Sequence, residues 1–128
     1  MKKLKIALLI LAIIVVGLFS YDKLIGQKAD PKFYEGCPSE FLSRLFTGVP
    51  SAPIGINLPP LGIWLCPEYY NDQALRVHEL AHWDQYKRMS TLGFYLRYFG
   101  SYVLSGFNYE KNWMEMEAEE KEAAWLSQ

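Results

Sequence analysis

Residues 77–83 have the sequence Val-His-Glu-Leu-Ala-His-Trp and contain both histidines of the 128-residue chain. His78 and His82 stand four residues apart, a spacing that places two side chains on one face of an α-helix. Glu79 follows the first histidine directly and lies near enough to reach a water held between the two rings. This HExxH pattern is typical of zinc bound by both histidines, with the glutamate as general base. We therefore predict His78 and His82 as metal ligands and Glu79 as the catalytic residue.

The pattern lies within a predicted helix. Asn71 or Asp72 is a suitable N-cap, and the helix is expected to run to about Met89 because no proline interrupts it. Leu75 and Gln85 fall on the same stripe of this helix as the two histidines. Apolar neighbours beside that stripe indicate a helix with one face against the core.

A catalytic zinc site needs three protein ligands and one open position. The ten residues after His82 contain no further histidine, so the third ligand must come from another segment. Residues 112–119, Asn-Trp-Met-Glu-Met-Glu-Ala-Glu, begin a second predicted helix that is rich in carboxylates. Glu115 is the preferred third ligand, with Glu119 and Glu117 as alternatives. Two other interpretations stay open, namely a capping box that ties Glu115 to the Asn112 amide and a solvated acidic face.

These two segments together resemble the HExxH plus Glu-x-x-Ala-Asp/Glu pairing of gluzincin-type metallopeptidases. Residues 82–85, His-Trp-Asp-Gln, add the His-x-x-Gln of small bacterial HExxH domains, and the chain is also similar to HtpX-like membrane peptidases. The resemblance covers mainly residues 71–126. It implies His78, His82 and Glu115 as zinc ligands and Glu79 as base. It further implies that Glu119, at a position where Asp is commoner, orients a ligand.

Residues 1–20 are predicted to be a signal anchor or a signal peptide. Three lysines precede the uninterrupted apolar run 6–19, which is short for a membrane span. The absence of an Ala-x-Ala cleavage signal favours an uncleaved anchor. The lysines would hold the N-terminus in the cytoplasm, so we expect a single-pass protein of the cell membrane with its domain on the extracytoplasmic side. Cleavage would instead give an exported protein.

The remaining sequence divides into a predicted stem, residues 21–30, and a domain, residues 31–128. All seven prolines fall between Pro31 and Pro67, which predicts loops and short strands there and helices after them. Residues 62–66 are the best strand candidate, 54–58 a weaker one, and 39–46 could form a short helix. Residues 92–104 are predicted to form a buried packing helix, or alternatively an aromatic surface at the lipid interface.

The expected fold class is α+β, mainly α. It is a minimal zincin-like domain with an HExxH helix, a packing helix and a Glu-bearing C-terminal helix, together with a small proline-rich loop and strand region and an N-terminal hydrophobic helix. Cys37 and Cys66 could form a disulfide or remain as two buried thiols, and the sequence favours neither.

The function predicted from the sequence is that of a zinc-dependent metalloendopeptidase, which hydrolyses peptide bonds of a peptide or protein substrate outside the cytoplasmic membrane. Tyr109 and Tyr102 are candidate donors to an oxyanion, and the strand at residues 62–65 could pair with an extended substrate at a free edge. A net charge of −1 and no basic run after residue 5 argue against a nucleic-acid partner. Two alternatives are an inactive metal-stabilised binding module and a metal-free small membrane protein.

Overall fold

A computed structural model describes residues 1–37, 39 and 54–128 of the chain. The described part is mainly helical, with a small sheet and an N-terminal apolar helix. The short helix predicted at residues 39–46 lies outside the described residues, apart from residue 39. The elements, in chain order, are α1 (Lys2–Leu24), β1 (Phe33–Glu35), β2 (Gly55–Leu58), β3 (Gly62–Leu65), α2 (Gln73–Leu104) and α3 (Trp113–Leu126).

The helix α1 has no polar face, and nearly all of it is exposed. In the described part of the chain it is the one helix long and apolar enough to cross a membrane, and its most apolar window is not buried against any other element. Its 23 residues span about 35 Å, which exceeds the roughly 30 Å of a bilayer's hydrocarbon core. An apolar helix that stands clear of the core requires another environment for its side chains, and a membrane span or a signal sequence meets that requirement.

The sheet has the strand order β1-β3-β2, with β1 parallel and β2 antiparallel to β3. Both predicted strands are confirmed as β2 and β3, whereas β1 was not predicted. The expectation that residues 62–65 present a free edge is wrong, because β3 is the central strand. β2 instead lies at an edge of the sheet that the described residues form. Ile63 and Leu65 of β3 are fully buried, as expected for residues on the core-facing side of a central strand.

Helix α2 contains a break at Ser90, where φ is 71° and ψ is 170°. The predicted end of the first helix near Met89 therefore matches the end of the first half of α2, residues 73–89. Asp72 caps this half through its carboxylate, which accepts a hydrogen bond from the Leu75 amide at 3.1 Å. The second half, residues 91–104, ends before Gly106, which adopts a positive φ of 73°.

The last turn of α1 is joined to α2 at this break. Asp22 is 2% exposed, and its carboxylate accepts hydrogen bonds from the Thr91 amide at 2.7 Å, the Thr91 hydroxyl at 2.7 Å and the Tyr86 hydroxyl at 2.8 Å. The carboxylate thus satisfies an amide at the start of the second half of α2, in the manner of an N-cap supplied from another helix.

The residues after Asp22, expected to form a stem, also contact α2. Gln27 donates a hydrogen bond to the Lys87 carbonyl, and the Ala29 carbonyl accepts one from the Trp83 indole. The apolar helix α1 therefore ends inside the packed part of the domain.

The core lies between the sheet, α2 and α3. The buried side chains that form it come from all three of these parts, namely Ile63, Leu65, Trp83, Tyr86, Phe94, Tyr98 and Met114. A disulfide between Cys37 and Cys66 joins the chain after β1 to the residue that follows β3. The second half of α2 packs through Phe94 and Tyr98, as the packing hypothesis expected, and leaves its opposite face exposed.

Candidate metal centre

The structure brings His78, His82 and Glu115 together between α2 and α3. The Nε2 atoms of both histidines lie 3.2 Å from the same carboxylate oxygen, Oε2 of Glu115. One potential ligand atom from each residue lies within 4.8 Å of the other two. Among the described residues this is the group of histidine, cysteine and carboxylate side chains that could hold a metal ion. Helical spacing aligns the two imidazoles, and packing of α3 against α2 supplies the carboxylate.

Gln85 determines the orientation and the tautomer of His82. Its amide nitrogen donates to the Met114 carbonyl at 2.9 Å and to a Glu117 carboxylate oxygen at 3.2 Å, and both of these atoms are acceptors only. The Gln85 oxygen therefore faces His82 Nδ1, 2.9 Å away, and that nitrogen must carry a proton to donate to it. In the neutral ring, Nε2 then keeps its lone pair toward Glu115, as a metal ligand requires.

Glu122 has the corresponding place beside His78. Its carboxylate lies 3.1 Å from His78 Nδ1, which leaves Nε2 directed at Glu115. The resemblance had implied Glu119 for the carboxylate that orients a ligand, and this stays a prediction; at His78 the structure has Glu122 in that place. Glu119 and Glu122, four and seven residues beyond Glu115, both share its helix face, but Glu119 is exposed and Glu122 is the one that contacts His78.

Two tyrosines complete the surroundings of Glu115, which is 2% exposed. The Tyr98 hydroxyl donates to Oε1 at 2.7 Å, and the Tyr109 hydroxyl donates to Oε2 at 2.6 Å. The alternative capping box is not formed, because the Asn112 amide donates to the Tyr109 carbonyl instead. Asn112 still caps α3 with its side chain, which accepts from the Met114 amide at 3.0 Å.

Glu117, an alternative third ligand, is engaged elsewhere. Its carboxylate pairs with Arg88 at 2.5 Å and accepts the hydrogen bond from Gln85. Neither Glu117 nor Glu119 belongs to the cluster that could hold an ion. Of the three glutamates considered from the sequence, Glu115 is the one that meets the histidines.

The buried charges of the cluster alter one another's protonation. Burial disfavours a charged His82, but the negative charge of Glu115 and the hydrogen bond to it outweigh burial and raise the pKa of His82 to about 9. Burial acts likewise on His78, and its hydrogen bond to Glu115 leaves its pKa raised. Burial would raise the pKa of Glu115, yet the charge of His82 and the hydrogen bonds from both rings hold that pKa well below its usual range.

Glu79 lies in the same pocket as the cluster and is itself buried. Burial raises the pKa of its carboxyl, although the charges of His82 and His78 oppose the change. The backbone carbonyl of Glu79 accepts a hydrogen bond from the side-chain amide of Asn57 at 2.6 Å, which ties this turn of α2 to β2. Gly55 leaves room for the carboxylate, since a Cβ there would lie 3.1 Å from Glu79 Oε1.

The pocket combines two carboxylates and an imidazole with an aromatic wall and the edge strand β2. Its lining residues are Gly55, Ile56, Asn57, Glu79, His82, Phe94, Tyr95, Tyr98, Tyr109 and Glu115. Tyr109 is thus in the pocket, as its proposed role as a donor requires, whereas Tyr102 is not among these residues and its ring contacts Phe107. Sequence analysis did not identify Tyr98 or Glu122 as part of the site.

Two imidazoles and one carboxylate form a donor set that suits zinc, which prefers nitrogen, sulfur and carboxylate oxygen ligands. Imidazoles whose Nδ1 atoms are held by other side chains are typical of such sites. Comparison of the chain with protein families, with curated proteins and with solved structures gave no match.

Proposed function

We propose that this chain is a zinc-dependent peptidase of the gluzincin type, held at a membrane by α1. The observation that carries the proposal is the convergence of His78, His82 and Glu115 in a pocket that also contains the buried carboxyl of Glu79. Three protein ligands are the number typical of catalytic zinc sites, which keep a further position for water or substrate. Zinc held there would supply a Lewis acid that acidifies water and polarises a carbonyl group.

Residues of the chain would transfer the protons, stabilise the developing charge and position the zinc ligands. The carboxylate of Glu79 would accept a proton from water and deliver it to the departing amine. Tyr109, whose hydroxyl donates to Glu115 in the structure, would turn that hydroxyl to the negative oxygen that develops on the scissile carbonyl. Gln85 and Glu122 would hold the two imidazoles in position.

The edge strand β2 offers a place for a peptide substrate beside these groups. Gly55, Ile56 and Asn57 line the pocket, and an extended peptide could pair with the backbone of such a strand. The substrate of the proposed metalloendopeptidase would therefore pair with β2 and not with residues 62–65.

Replacing Glu79 by glutamine tests the proposal, because the amide keeps the shape of the carboxylate and cannot act as a base. Zinc-loaded full-length protein is incubated with a mixed library of fluorogenic peptides. The variant should lose at least about 100-fold in turnover, which is the usual contribution of a general base, and should bind zinc as tightly as wild type. Glu120→Gln, at an exposed glutamate of α3, is the matched control and should retain both properties.

The alternative of an inactive metal-stabilised module is supported by one observation. The cluster links α2 to α3 through buried hydrogen bonds, so an ion there would also hold the fold together. A purely structural metal site would not require the buried carboxyl of Glu79 in the pocket. The structural module would be favoured if zinc stabilised wild type and Glu79→Gln equally and neither protein hydrolysed any peptide.

A further inference from the structure

The second half of α2 carries an exposed apolar stripe, formed by Leu92, Leu96 and Val103. These residues are separated by four and seven positions, so they share one face of the helix. Each is between 47% and 64% exposed. Phe94, Tyr98 and Ser101, on the opposite face, are buried against the core. The helix is therefore apolar on two opposite sides, and the domain covers only one of them.

The apolar stripe lies next to the end of α1. Asp22, in the last turn of α1, accepts hydrogen bonds from the amide and the hydroxyl of Thr91, the residue directly before Leu92. Leu24 and Ile25, just after Asp22, are also exposed and apolar. The stripe thus begins where the apolar helix α1 ends, and the buried hydrogen bonds of Asp22 fix the two helices at that point.

The distribution of charge around the stripe favours a lipid bilayer as its partner. Residues 91–109 contain a single charged side chain, Arg97, and no acidic one. Arg97 is exposed, and its long side chain can lie along apolar surface while the guanidinium reaches lipid phosphates. Beyond the helix end, Leu104 and Phe107 add further exposed apolar surface. Helices of this kind lie in the boundary between headgroups and acyl chains.

We propose that the apolar stripe lies on the surface of the bilayer that α1 crosses, so that the domain rests on the membrane along the second half of α2. This inference depends on the proposed membrane anchoring by α1 and is independent of the peptidase activity. It gives the chain two membrane contacts, a span and an interfacial helix, that are joined at Asp22. The pocket, which the same helix lines with Phe94, Tyr95 and Tyr98, is then held close to the lipid surface.

Nitroxide labels on full-length protein test the proposal. Leu96→Cys and Val103→Cys are labelled without reductant, so that the Cys37–Cys66 disulfide stays intact. The proteins are reconstituted in vesicles of phosphatidylcholine and phosphatidylglycerol. Electron paramagnetic resonance then compares collisions with oxygen, which enters lipid, and with a water-soluble nickel chelate. Two controls are Glu120→Cys, exposed on α3, and Ile13→Cys, exposed in α1.

The ratio of oxygen to nickel collisions should be several-fold higher at residues 96 and 103 than at residue 120. A ratio at 96 and 103 equal to that at 120, with a high ratio at 13, would overturn the proposal while leaving the anchor in place. A low ratio at 13 would refute the anchor and the proposal together. Dipolar broadening at 96 or 103 that disappears on dilution with unlabelled protein would show that a second copy covers the stripe, and would also overturn the proposal.

Discussion

Replacing Asp22 by asparagine tests the join between the apolar helix and the domain. Oδ1 of Asp22 accepts from the hydroxyls of Tyr86 and Thr91, and Oδ2 accepts from the Thr91 amide. Asparagine has nearly the same shape but only one accepting oxygen, because the other oxygen becomes an NH₂ donor. At least one of the three buried donors would then face another donor.

The size of the effect follows from these contacts. The three hydrogen bonds are 2.7–2.8 Å long and end on a carboxylate that is 2% exposed. A hydrogen bond to a charged group contributes about 1.5–3 kcal/mol, so losing one and weakening two should lower the free energy of unfolding by about 2–4 kcal/mol. For a domain of this size the melting temperature should fall by roughly 10–20 °C.

Thermal unfolding of full-length protein in detergent micelles, followed by near-ultraviolet circular dichroism, measures the change. Asp30→Asn is the matched control, because the Asp30 side chain is 96% exposed and its pair with Lys87 should contribute nothing measurable. Tyr86→Phe removes one donor and should give an intermediate loss of stability. A melting temperature of Asp22→Asn equal to that of Asp30→Asn would refute the argument that Asp22 fixes α1 to α2.

Three further predictions concern the cluster and the disulfide. Gln85→Leu leaves His82 Nδ1 without its acceptor and should weaken zinc binding roughly 10–100-fold in a chelator competition. Glu120→Gln should leave the zinc affinity unchanged. Equal zinc affinities of Gln85→Leu and wild type would contradict the role of Gln85. Zinc binding at pH 7 should release protons, because the pKa of His82 is about 9 and a ligand imidazole must be neutral. The affinity for zinc should therefore rise with pH up to about 9. Calorimetry in buffers of different ionisation heat measures the proton release, and its absence would contradict the prediction. Replacing Cys37 and Cys66 by serine opens a link across 29 residues and should cost about 3–4 kcal/mol in chemical denaturation, and an unchanged midpoint would contradict the stabilising role.

Local spacing predicted those parts of the structure that depend on one helix alone. Residues four apart share a helix face in any context, so His78 and His82 could be placed together from the sequence. The Asp72 cap and the end of the first half of α2 near Met89 were predictable for the same reason. The strands at β2 and β3 followed from short apolar runs between prolines and glycines.

Contacts between distant elements were not predictable in this way. Glu115 could equally have capped its own helix, and only the packing of α3 against α2 directs it to the histidines. That packing also selects Glu122 instead of Glu119 to hold His78, because the choice depends on how α3 is rotated about its axis. Spacing within α3 leaves this rotation undetermined.

Asp22 illustrates the same limit at the other end of the chain. A single aspartate after an apolar run resembles an ordinary polar boundary in the sequence. Its burial depends on a helix break at Ser90, 68 positions later, which exposes an amide and a hydroxyl of Thr91 to it. The sequence of the predicted stem, residues 21–30, gives no indication that Thr91 is the partner of Asp22.

X-ray absorption at the zinc edge, on full-length protein loaded with one equivalent of zinc and washed free of excess, tests the proposed metal centre most directly. The predicted spectrum has nitrogen and oxygen ligands at about 2.0–2.1 Å, with scattering from two imidazole rings and no sulfur. Zinc that washes away, or a spectrum without imidazole scattering or with sulfur at about 2.3 Å, would contradict a centre built on His78, His82 and Glu115.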